Sequence, residues 1–199
     1  MGNSLNFLFA RLKQEGQLDD IGVLKLGYAL KVLKNEVLKF ALLFLFYLFW
    51  GEAWLFLSCA AILIPVRIFS GGLHMKTNIT CFLFSFVFFF LAIKLLPLLP
   101  IPIPGYMLLL VLSASVICVF SPIATSKRPI ISKEKYRRCK TMSVVSSLCI
   151  GGFLFLQIKS TALFQCGIWV FTLQAFQLTI AYINQRRRFS GESPYPNQT

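Results

Sequence analysis

Acidic residues and histidine are scarce in this chain, which has seven Asp and Glu and one His among 199 residues. The apolar tracts therefore carry no paired carboxylates. This argues against a lipid-modifying enzyme and against a proton-coupled carrier. One histidine is too few for a Cys/His zinc cluster. The six cysteines, Cys59, Cys81, Cys118, Cys139, Cys149 and Cys166, form no CxxC pair. Neither a metal, a cofactor nor a structural disulfide is expected. Small-xxx-small helix faces are not conspicuous, which weakens a pure scaffold reading. There is no internal repeat and no sign of a second domain. The cluster Leu5 to Leu12 is too short and broken for a secretory signal, and no small-residue cleavage site follows it.

What is abundant is apolar surface. Hydrophobic residues make up 57% of the chain, 21 of them Phe, and mean hydropathy is +0.73. A soluble domain of this size has too little interior for so much apolar surface. Several tracts approach the roughly 20 residues that cross a bilayer. The expected fold is all-α, a polytopic membrane protein with six transmembrane helices, an amphipathic N-terminal segment and both termini cytoplasmic. The expected division is an interfacial segment 1–36, a six-helix membrane domain 37–189 and a disordered tail 190–199.

In chain order, Leu5, Leu8, Phe9 and Leu12 share one helical face, and Asp19 or Asp20 can cap a second amphipathic helix. The tract Leu30 to Phe69 is too long for one span. Gly51-Glu52 divides it into Leu30–Trp50 and Ala53–Phe69, with Glu52 at the outer surface and Pro65 near the end of the second helix. Further spans are expected at Ile79–Leu96, Tyr106–Phe120, Thr141–Ile158 and Thr161–Ile183. A proline-rich connector runs from Pro97 to Gly105 and a basic loop from Lys127 to Lys140, and Gln185–Phe189 is read as the stop of the last helix. This layout puts all Lys and Arg except Lys94 and Lys159 on the inner side, 18 of the 20. A five-span layout keeps far fewer inside, so positive-inside bias selects six. The net charge of +13 then reflects topology rather than nucleic-acid binding. A cytoplasmic face this basic also suits an acidic peptide or anionic lipid headgroups.

One polar island, Arg67 to Cys81, interrupts the apolar pattern and holds His74, the single histidine. Gly71-Gly72 breaks the helix and lets backbone approach a neighbour closely. Asn78 is expected to cap the next helix, which puts Cys81 at its third position. There, free backbone N–H groups and the positive end of the helix dipole favour a negatively charged sulfur. On one continuous helix, the seven residues between His74 and Cys81 rise about 10 Å, too far for a hydrogen bond. The pair can cooperate only if the chain turns between them. The plain alternative is an interfacial histidine, an inert thiol and a snorkelling Arg67.

The run Arg67…Ser70-Gly71-Gly72-Leu73-His74, followed after six residues by Cys81, resembles the signature of the accessory gene regulator B (AgrB) family. These are membrane endopeptidases that process quorum-sensing propeptides in Gram-positive bacteria. The resemblance extends to Ser121-Pro-Ile, to Lys127-Arg128-Pro129-Ile130, to Glu134-Lys135, and to the chain length and six-span layout. Leu73 stands where an aromatic residue such as Tyr is expected. The resemblance implies Cys81 as nucleophile and His74 as general base, in the cell membrane with the site at the cytoplasmic face. It also implies an AgrD-type propeptide with an acidic C-terminal tail as substrate, lipid as surroundings, a homodimer, and a thiolactone or lactone product. Arg67, Ser70, Gly71, Gly72 and Asn78 are candidate supporting residues. Lys127, Arg128, Lys133 and Lys135 are candidate contacts for the acidic tail. A peptide exporter or a non-catalytic scaffold is the alternative.

Overall fold

The computed structural model describes residues 20–73, 77–123, 132–158 and 161–191. Among them there are helices and no strand: α1 (Asp20–Phe49), α2 (Ala53–Ser70), α3 (Asn78–Phe90), α4 (Ile103–Phe120), α5 (Lys133–Leu156) and α6 (Thr161–Gly191). The all-α expectation therefore holds. Among the described residues, five stretches are long and apolar enough to cross a membrane: Ala53–Ser70, Asn78–Leu98, Ile103–Phe120, Lys133–Leu156 and Ala162–Arg186. The stretch expected as the first span lies in α1. That helix runs unbroken from Asp20, so the expected amphipathic helix and the apolar tract are one element. Lys34, Glu36 and Lys39 within it keep any long window of α1 from being uniformly apolar.

The chain divides into two compact units, Met1–Phe46 and Tyr47–Thr199. In the first, Lys39 and Glu36 pair at 2.7 Å, one turn apart. Leu24, Tyr28, Leu33 and Val37 are exposed.

The second unit begins at Tyr47, in the last turn of α1, and continues through the break to α2. Gly51 has φ +76, which a residue with a Cβ rarely adopts. The Glu52 N–H closes the turn onto Tyr47 O at 2.9 Å. Pro65 lies inside α2, which nevertheless continues to Ser70. Next, α3 passes into a π turn at Leu91–Leu95 and a 3-10 turn at Leu96–Leu98. In the proline-rich connector, Pro102 is the N-cap of α4 and Pro104 lies in its first turn. The missing N–H of proline costs nothing there.

Helix α6 is the centre of this unit. It packs on α2, α3, α4 and α5, and 61% of its spanning window is buried, against 39% or less for the other four spans. Gly167 permits this approach. A Cβ there would collide with Leu154 Cδ2 of α5 and lie 3.1 Å from Ile62 Cδ1 of α2. Aromatic packing fills the far end of the bundle, where Tyr47 stacks on Phe56 at 5.0 Å and Tyr106 meets Phe164 edge-on at 5.8 Å. Lys94, in the π turn after α3, pairs with Glu52 at 2.5 Å and lies over the Trp50 ring at 4.8 Å. The expected outer-surface acid thus partners one of the two cations that the positive-inside pattern leaves out.

Three expected boundaries are corrected. Thr77, rather than Asn78, caps α3, its hydroxyl accepting the Thr80 N–H at 3.2 Å. The basic loop is helical from Lys133, because Ser132 caps α5 by accepting the Glu134 N–H and Glu134 suits the first turn. Gln185–Phe189 does not stop α6, which runs on to Gly191. Arginine is a good helix former, and there is no glycine or proline among these five residues to end the helix. Residues 192–199 of the expected disordered tail lie outside the described residues.

Candidate functional site

The polar island starts where α2 ends. Gly71 has φ +82 and ψ −161, a region open essentially to glycine alone, and its N–H closes onto Arg67 O at 3.1 Å. A Cβ at Gly71 would stand 3.0 Å from Ile123 O. This close approach is fixed from the partner side, because the Ile123 N–H donates to Ser70 O at 3.0 Å. Ser121, Pro122 and Ile123 are all buried. Two stretches singled out in the sequence, Arg67–Gly72 and Ser121–Ile123, therefore meet backbone to backbone.

Helix α6 supplies the third wall. Gln174 Nε2 donates to Gly71 O at 3.0 Å and to Ser70 Oγ at 3.2 Å. Ser70 Oγ also donates to Gly71 O at 3.2 Å. Ser70 and Gln174 are fully buried and Gln177 nearly so. Gly72 is buried as well. A Cβ on it would lie 3.8 Å from Gln177 Oε1 and 3.9 Å from both Arg67 Nε and Gln174 Nε2. Arg67, expected either as a snorkelling cation or as an anchor, thus has its guanidinium beside the glycine turn. Gln174 Oε1 and both side-chain polar atoms of Gln177 are buried without a hydrogen-bond partner among the described residues.

Cys81 stands on a separate element, the first turn of α3. With Thr77 as the cap it occupies the fourth helical position rather than the third. Its N–H already donates to Thr77 O at 3.2 Å. The unspent first-turn N–H groups are those of Asn78 and Ile79, since Thr80 N–H is taken by the Thr77 hydroxyl. Cys81 is half-buried, and its carbonyl accepts the Ser85 hydroxyl at 3.0 Å. None of the six cysteines is in a disulfide. The described residues contain no group of three His, Cys, Asp or Glu able to hold a metal.

The structure therefore brings together Arg67, Ser70, Gly71 and Gly72. It places Asn78 exposed at the start of α3, and Lys133 and Lys135 exposed in the first turn of α5. His74, Lys127 and Arg128 lie outside the described residues. Within the basic stretch, Lys140 has a local partner set. Its ammonium donates to Cys118 O, to Val119 O at 3.0 Å and to Ser121 O at 2.8 Å, covering the C-terminal carbonyls of α4. Gln174, Gln177 and Ile123 were not among the expected site residues. For the two glutamines a signal was present, because polar residues three apart in an apolar span fall on one helix face.

A bundle of apolar helices around a polar, glycine-shaped turn, with a cysteine on the next helix start, defines a multi-pass membrane protein with a site at one end of the bundle. Residues 5–178 match the family described as accessory gene regulator B, and the chain belongs to that family. It is similar to the putative AgrB-like protein of Clostridium beijerinckii, with 32% identity over 125 residues, 62% of this chain and 61% of that one. It is also similar to accessory gene regulator protein B of Staphylococcus carnosus (strain TM300), with 27% identity over 180 residues, 88% of this chain and 91% of that one. The match thus spans less than two thirds of the clostridial protein. No solved structure matches the chain.

Proposed function

We propose that this protein is a membrane-embedded cysteine endopeptidase that removes the acidic C-terminal tail of an AgrD-type propeptide and promotes closure of the remaining peptide into a ring, for quorum sensing. The observation that carries this reading is a half-buried Cys81 on the first turn of a Thr77-capped helix, in a chain of the accessory gene regulator B family. That turn lies at the positive end of the α3 dipole.

The chemistry balances with this chain's own residues. His74 takes the Cys81 proton, and the sulfur attacks the carbonyl that precedes the tail. The tetrahedral adduct collapses, the C–N bond breaks, and the tail amine leaves with the proton from His74. A Cys or Ser within the held peptide then attacks the thioester. A thiolactone or lactone forms and the Cys81 thiol is restored. Ring closure outruns hydrolysis when water is excluded and the peptide ends are held together. The exposed Lys133 and Lys135, with Lys127 and Arg128, draw the acidic tail.

The test is mass spectrometry of the cognate propeptide incubated with purified protein in lipid, wild type beside Cys81→Ala and His74→Ala. A tail-less peptide one water lighter than its linear form, made by wild type alone, is the expected result. A linear product leaves a protease without ring closure. Processing by His74→Ala rules out the Cys/His pair. Intact propeptide with folded wild type favours an exporter or scaffold instead.

A further inference from the structure

We infer that Gln174 is a positioning residue of the active site: its side-chain amide pins to α6 the Gly71–Gly72 turn, from which the sequence leads on to His74. This inference rests on the endopeptidase reading above.

The local geometry is specific. Gln174 Nε2 spends its donors on two atoms of the turn, Gly71 O at 3.0 Å and Ser70 Oγ at 3.2 Å. A carbonyl can only accept, so these partners also fix which end of the amide faces the turn. From the opposite side the Ile123 N–H holds Ser70 O at 3.0 Å. The turn is therefore gripped between α6 and the segment after α4. Gly71 itself sits in a backbone conformation that only glycine adopts readily, so the path of the turn depends on it.

Stability does not explain the choice of glutamine. A leucine at 174 would fill similar volume inside the bundle without burying an amide. Gln174 Oε1 and both polar atoms of Gln177 are buried and unpartnered among the described residues. Three such atoms within one turn of a single helix is a cost that packing alone would avoid. Gln177 is one turn on, on the same face of α6, with Oε1 3.8 Å from where a Cβ of Gly72 would be. Both amides thus back the same two glycines. A polar face kept at this cost, and aimed at the turn that leads into His74, is explained by a demand on where that turn sits.

The experiment compares wild type with Gln174→Met and Ser70→Ala, as full chains in lipid nanodiscs, using the cognate propeptide. The kcat is normalised to the fraction of Cys81 alkylated by iodoacetamide, read by mass spectrometry on the peptide that carries Cys81. Hydrogen exchange of the peptide covering Gly71–Leu73 is followed by mass spectrometry in the same samples. Gln174→Met is expected to lower kcat on the order of 10²-fold, the scale of a misplacement near 1 Å. KM should stay within threefold, and exchange at Gly71–Leu73 should rise while α4 and α5 peptides are unchanged. Ser70→Ala removes one of the two contacts and should fall between. A kcat per titrated site within twofold of wild type overturns the inference. If wild type itself leaves the propeptide intact, the endopeptidase reading fails. The exchange data then decide the pinning on their own, and unchanged exchange at Gly71–Leu73 overturns it.

Discussion

The backbone N–H of Ile123 donates to the carbonyl of Ser70 at 3.0 Å, joining two segments that lie some fifty residues apart. That bond explains why Gly71 must be glycine. Its φ of +82 is unfavourable for any residue with a Cβ, and that Cβ would face Ile123 O at 3.0 Å. Gly71→Ala is expected to cost about 1–3 kcal/mol and to abolish propeptide cleavage. Thermal unfolding in lipid and the cleavage assay read the two effects. An unchanged melting temperature would show that the turn relaxes freely.

Gly72→Ala should behave differently. A methyl there meets its neighbours at 3.8–3.9 Å, ordinary contact distance. The variant is expected to fold with wild-type stability. Loss of folded protein on expression, read by size-exclusion chromatography, would contradict this.

Lys140 and its neighbours Lys133 and Lys135 separate by role. Lys140 covers the last carbonyls of α4, so Lys140→Met should lower stability by about 1–2 kcal/mol. Lys133→Gln with Lys135→Gln changes only exposed first-turn charges. It should leave stability alone and raise KM for an acidic-tailed propeptide several-fold, more at low salt than at high. An unchanged KM at low salt would make these lysines topology determinants only.

The ion pair of Lys94 and Glu52 is partly buried, with side chains 27% and 26% exposed. Lys94→Met and Glu52→Gln should each destabilise the protein, and the double variant should lose less than the two single losses added together. A coupling of about 1 kcal/mol is expected from a double-mutant cycle of melting curves. Strict additivity would mean that the pair contributes nothing.

At Gly167 the close approach of α6 to α2 and α5 leaves no room for a side chain. Gly167→Val should cost about 1–3 kcal/mol by overpacking, read as a lower melting temperature. Wild-type stability would mean that Leu154 and Ile62 swing aside.

Much of this architecture was legible in the sequence because the bilayer imposes length and composition on each span. Gly51-Glu52 marked a break that the structure places there, and Arg67 to Cys81 marked both a turn and the family. The misread boundaries are those where neighbouring residues offer equivalent local chemistry. Thr77 and Asn78 can each cap a helix, and the one whose hydroxyl reaches Thr80 N–H prevails. Cationic stretches read as loops, yet Lys and Arg favour helix, and Ser132 provides the start that extends α5 outward. The grip of Gln174 on Gly71 joins residues 103 apart. Local pattern does not encode such pairing, although a glutamine in an apolar span was visible from the start.

The reach of α6 sets a distance between its buried amides and its cationic end. At 1.5 Å per residue, Gln177 and Gln174 lie about 13 Å and 18 Å along the helix before Arg186, whose exposed guanidinium sits 5.9 Å from the Tyr182 ring. The glycine turn held by Gln174 therefore lies about three turns of α6 from Arg186. On the endopeptidase reading, a tail held at Arg186 while the scissile bond lies beside that turn has to span about the same distance. Tail length, as well as tail charge, then becomes a ruler for which bond is presented.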